Sequence, residues 1–145
     1  MNDPYGLERF VSAQNQADTF ATAVGELRDG RKRSHWMWFV FPQIAGLGHS
    51  PMSQRYAIES LEEARAYLAH DVLGPRLIEC ARVLCQLEGL TAQEIFGGID
   101  SLKLRSSMTL FAYADSANPI FGQVLEAYFG GAGDEATERL LGVGR

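Results

Sequence analysis

The sequence predicts an all-α protein, a single irregular bundle of about eight short helices forming one domain over residues 1–145. Three observations predict it. Apolar residues recur at helical spacing along almost the whole chain. Helix-start residues alternate with glycine stops. No stretch shows the apolar–polar alternation of a half-buried strand.

The elements follow in order. Asp3-Pro4 pairs an N-cap with a favoured first helical residue, and Leu7, Phe10 and Val11 form the stripe behind it. After a break near Asn15, Ala17, Phe20, Ala21, Val24 and Leu27 repeat the spacing, and Gly30 is the stop. The run Ser34 to Gln43 is the most aromatic stretch, and periodicity alone leaves it as buried helix or buried strand. Helix is favoured because its neighbours read as helix, with Ser34 as cap and Pro42 as terminator. Ile44 to His49 is a glycine loop, and Ser50-Pro51 opens the next helix. Ser60 with Glu63 and Thr91 with Glu94 match capping boxes. Between them Asp71 opens a longer helix carrying Leu73, Leu77, Cys80, Ala81 and Leu84. The Thr91 helix is expected to stop at Gly97-Gly98, and Asp100 to cap a new one carrying Leu104, Met108 and Phe111. Asn118-Pro119 and Asp134 start the last two.

The formal net charge of -5 argues against a general nucleic-acid binder, which needs a basic face. Arg28, Arg31, Lys32 and Arg33 cluster around Gly30, as a solvated helix end or an anion site. Cys80 and Cys85 are five apart on a helix and project differently, so neither a disulfide nor a metal clip follows. Two reduced thiols fit a cytoplasmic protein. No apolar run approaches the roughly 18 residues of a membrane span, and the N-terminal residues lack the pattern of a signal peptide. His35, His49 and His70 lack metal-ligand spacing, so no metal is assigned, and no cofactor motif stands out.

One pattern is specific. It runs Gly30-x-Lys32-x-Ser34-His35-Trp36-Met37-Trp38-Phe39-x-Phe41-Pro42-Gln43, then Gly46-Leu47-Gly48 and Tyr56-Ala57-Ile58. Further on come Leu73-Gly74-x-Arg76-Leu77, Ile95-Phe96-Gly97 and Asp100-x-x-Lys103-Leu104-x-Ser106-Ser107-Met108. Together these resemble the signature of a bacterial family catalogued as domain of unknown function 1810. The resemblance spans nearly the whole chain and implies a mainly helical fold, with no established activity attached.

Polar residues set in apolar runs carry what functional signal there is, because burying them costs free energy unless each finds a partner. His35 is a candidate acid or base, or a core histidine bonded to backbone. Trp36 and Trp38 fill the core or offer a stacking surface. Gly46 and Gly48 lead into the helix start at Ser50, with Ser53 in its first turn, an arrangement able to present amides to an anion. Lys103, Ser106 and Ser107 share a helix face and could hold phosphate; equally, the lysine could reach solvent while the serines bond back to the helix. With Lys32, Ser34 and Gln43 these residues outline a site for a small anionic ligand, phosphorylated or nucleotide-like, in a binding protein or enzyme. The alternative is a non-catalytic interaction module, with the aromatic run as a contact surface for a partner or for self-association.

Overall fold

The computed structural model describes residues 3–143. Nine α-helices follow one another among them: α1 (Glu8–Asn15), α2 (Thr19–Arg28), α3 (Met37–Val40), α4 (Pro51–Arg55), α5 (Leu61–Ala69), α6 (Leu73–Gln86), α7 (Ala92–Ala114), α8 (Ile120–Phe129) and α9 (Glu135–Leu141). A 3-10 turn, Gln16–Asp18, joins α1 to α2. The described residues contain no strand, only a single parallel bridge between Ile44 and Ile58. The fold is therefore all-α, as the helical spacing predicts.

Local chemistry sets most of the starts. Ser50 and Ser60 accept the backbone N–H three residues on, at 3.1 Å each, and open α4 and α5. Thr91 and Glu94 close a full capping box at 2.8 and 3.0 Å. Asp134 caps α9, accepting from the Thr137 N–H at 2.9 Å. Asp3 accepts from the N–H groups of Leu7 and Glu8, so it serves α1 from just outside the helix.

Two expected caps are corrected. Asp71 does not cap α6: the Nδ1 of His70 accepts from the N–H groups of Val72 and Leu73 at 3.1 and 3.3 Å. Asp100 starts no helix either. The expected stop at Gly97-Gly98 is a kink inside α7, where Gly97 takes φ +83° and ψ 171° and the chain resumes its helix at once. Only glycine adopts that backbone without strain. Asp100 is thereby left free to act as a counterion.

The aromatic run forms one helical turn, α3. Its two tryptophans part company: Trp36, just before the helix, is fully buried, while Trp38 within it is half-buried. The core lies between α5, α6, α7 and α8, with α1, α2 and α3 closing one side. A chain of aromatic contacts crosses it, from Phe10 to Tyr67 at 5.1 Å, Tyr67 to Phe111 at 5.3 Å and Phe111 to Phe121 at 5.8 Å between ring centres.

Candidate functional site

A concave pocket of about 390 Å³ with a mainly apolar lining opens on the surface, at the small end of the roughly 300–1,000 Å³ usual for ligand sites. Four pieces of chain build it. Trp38 and Gln43 enter from α3 and the turn after it. The glycine loop contributes Ile44, Gly46, Leu47 and Gly48, followed by Ser53 of α4. The kinked helix α7 supplies Ile99, Leu102 and Lys103. The sequence between α4 and α5 adds Tyr56, Ala57 and Glu59.

The bridge at Ile44 and Ile58 holds two of these pieces together. The Ala45 N–H donates to the Ile58 carbonyl, and the Ile58 N–H to the Gln43 carbonyl, both at 2.8 Å. Arg9 fixes the same wall from behind. Its guanidinium donates to the carbonyls of Arg55 and Ala57 at 2.7 Å each, and to the Glu63 carboxylate at 3.0 Å. Small size matters in the loop: a Cβ on Gly48 would stand 3.0 Å from Ser53, and one on Gly46, at φ +102°, would press on Leu140 of α9.

Lys103 supplies the cation of the pocket. Its Nζ lies 4.0 Å from the centre of the Trp38 ring and donates to Asp100 Oδ1 at 3.1 Å. Asp100 Oδ2 meets Lys32 Nζ at 2.9 Å. Burial works against the Asp100 charge, but hydrogen bonds from Lys32 and Lys103 outweigh it and hold the carboxyl below its ordinary range. One carboxylate thus serves two ammonium groups, and the trio keeps a formal charge of one positive unit.

The expected site residues separate into two groups. Trp38, Gln43, Gly46, Gly48, Ser53 and Lys103 come together on the pocket. Ser50 stands next to it as the α4 cap. Its hydroxyl already takes the Ser53 N–H and its carbonyl the Gln54 N–H, so those amides are not open to an anion.

The remaining residues are elsewhere, and each has a physical reason. Ser34 and Trp36 serve the buried carboxylate of Glu26. Its Oε1 accepts from the Trp36 indole at 2.9 Å and the N–H groups of Arg33 and Ser34 at 2.8 and 3.0 Å, while Oε2 accepts the Ser34 hydroxyl at 2.6 Å. Burial penalises this charge, yet the four donors prevail and hold Glu26 at about 2. Lys32 is buried against Trp36, with its Nζ on Asp100 and on the Ser34 carbonyl at 2.6 Å, and is not part of the pocket lining. Ser106 bonds back to the Leu102 carbonyl at 3.1 Å. Ser107 is fully buried in the core, and its hydroxyl has no partner among the described residues. His35 is exposed and outside the pocket.

Trp38 lines the pocket with one face of its ring under the Lys103 ammonium. The basic cluster is mostly spent as well: Arg28 pairs with Glu79, Arg33 with Asp29 and Lys32 with Asp100. Among the described residues no group of three or more histidine, cysteine or acidic side chains could hold a metal, and no helix is long and apolar enough to cross a membrane.

Sequence reasoning missed Glu59, Ile99 and Leu102, which no motif marks, passed over Tyr56 although the family pattern contains it, and read Asp100 as a cap. A visible signal for Leu102 was its place beside Lys103 on a helix whose buried stripe is Leu104, Met108 and Phe111. Leu102 lies off that stripe and is 62% exposed.

Comparison with known proteins agrees with the motif pattern. The model of a family described as "Protein of unknown function (DUF1810)" matches residues 4–141. The chain belongs to the DUF1810 family. A solved relative of this DUF1810 protein is the conserved hypothetical protein Rv1873 from Mycobacterium tuberculosis, whose crystal structure superposes with a TM-score of 0.93. The two are 57% identical, over 98% of this chain and all of the other. No curated protein matches.

Proposed function

We propose that this DUF1810 protein is a small-molecule-binding protein whose ligand is a small amphipathic anion. The observation that carries the reading is Lys103. Its ammonium has three donor directions; Asp100 takes one and the Trp38 face another, and the side chain still lines the cavity. Apolar side chains such as Ile44, Leu47 and Leu102 line the same space and would receive the body of the ligand. A single net positive unit favours a carboxylate over a multiply charged nucleotide or sugar phosphate. His35, the candidate acid or base, lies outside the pocket, and binding without turnover is the simpler reading. The free thiols of Cys80 and Cys85 are in keeping with a cytoplasmic site of action.

A thermal-shift screen over organic carboxylates, nucleotides and sugar phosphates tests it. A ligand at a hundred times its Kd stabilises the fold by about 2.7 kcal/mol. Lys103→Met should weaken a carboxylate hit about tenfold to a hundredfold, the worth of a charged hydrogen bond. An unchanged affinity would refute the assignment.

A second reading has its own observation. Ile99 and Leu102, at the pocket mouth, are 73% and 62% exposed, which suits an interaction surface, including one for self-association. Sedimentation that depends on protein concentration, and ceases to in Ile99→Ser, would favour it.

A further inference from the structure

The wall supplied by residues 57–59 adds a second charged residue to the pocket lining, the exposed Glu59. Its middle residue, Ile58, forms the bridge to Ile44. Ala57 and Glu59 both line the cavity, and Ile58 between them is fully buried. The Glu59 backbone is fixed, its N–H donating to Glu63 Oε1 at 2.9 Å, and Glu63 is itself held by Arg9. The Glu59 carboxylate, by contrast, makes no hydrogen bond or ion pair with any described residue. In particular, Glu59 and Lys103 line one cavity without pairing to each other.

The pocket therefore presents one uncompensated positive unit, from the Lys32–Asp100–Lys103 trio, and one uncompensated negative unit, from Glu59. An apolar neutral ligand would answer neither charge and would crowd the Lys103 ammonium away from water, which is costly. A plain anion would satisfy Lys103 but meet the field of Glu59, and a phosphate dianion would meet it twice over. The ligand that suits both ends carries its own opposite charges, separated by an apolar middle that rests on Ile44, Leu47 and Leu102.

We infer that the pocket takes a small zwitterion of the amino-acid class, its carboxylate at Lys103 and its ammonium at Glu59. This rests on the reading that Lys103 receives the anion of the ligand, and adds that Glu59 is the specificity-determining residue. The class includes α-amino acids with apolar side chains and ω-amino acids with a short methylene chain; the separation of the two protein charges selects among them.

The experiment is calorimetric titration of the whole protein with L-leucine and with ω-amino acids from γ-aminobutyrate to ε-aminocaproate. Caproate and hexylamine serve as the single-charge controls. At least one zwitterion should bind about tenfold tighter than either control. Glu59→Gln should abolish that preference while leaving caproate bound as tightly as before or more so. The glutamate is exposed and its backbone is held through its N–H, so this variant folds. Caproate binding as tightly as every zwitterion overturns the inference and leaves the anion reading standing, as does a preference that survives Glu59→Gln. No binding of any of these compounds to folded protein overturns both.

Discussion

At the scale of single residues, buried charge is managed by complete hydrogen bonding. Glu26 is 6% exposed and accepts four hydrogen bonds, two of them from side chains of the aromatic run. It ties the end of α2 to the start of α3. Removing the acceptor leaves the Trp36 indole and two backbone N–H groups without partners in or near the core. Glu26→Ala should therefore destabilise the fold by about 2–4 kcal/mol in urea unfolding. The charge also predicts a pH dependence. Glu26 falls from its ordinary 4.5 to about 2 on folding. The unfolded chain therefore takes up the proton first as pH drops. The stabilisation is complete above about 4.5 and is lost as pH falls towards 2. Glu26→Gln should flatten the stability profile in that window; an acid limb as steep as in the parent would show that other carboxylates carry it.

At the scale of elements, α7 shows how a helix is interrupted without being ended. Gly97 adopts a backbone that other residues reach only with strain, and no atom lies within 4 Å of where its Cβ would stand. Gly97→Ala should thus cost about 1–3 kcal/mol from backbone conformation alone. Gly98, next along, has ordinary helical geometry and equally open surroundings. Gly98→Ala should be neutral or stabilise by up to about 1 kcal/mol. Paired chemical denaturation curves decide it, and equal effects would mean that the kink is not maintained in solution. The kink also precedes the pocket residues Ile99, Leu102 and Lys103, so Gly97→Ala should weaken ligand binding as well as stability.

At the scale of the whole molecule, the closely packed interior sets what can react. Cys80 is fully buried, and burial pushes its thiol far above the ordinary range; the half-buried Cys85 is raised by the same cause to a lesser degree. An alkylating reagent at mildly alkaline pH should label Cys85 slowly, and Cys80 only as fast as the whole domain unfolds. Mass spectrometry after timed labelling checks this. Rapid Cys80 labelling in folded protein would reveal local opening between α6 and its neighbours. Close approach has a backbone signature too: a Cβ on Gly74 would fall 2.0 Å from the Leu68 carbonyl oxygen, so the turn from α5 into α6 requires glycine there.

By itself the sequence determined the helical class, most helix starts and the family, because apolar spacing, side-chain caps and motif order are local properties of the chain. It also placed Trp38, Gln43, Gly46, Gly48, Ser53 and Lys103 among the candidates for one site. Only the tertiary structure decided which polar residues were already spent. Ser34 and Trp36 are consumed by Glu26, and Lys32 by Asp100, across separations of 8, 10 and 68 residues that no local pattern encodes. Hydrogen-bond capacity is finite, so a polar side chain facing a neighbour in space is lost to a ligand, and the neighbour is chosen by packing.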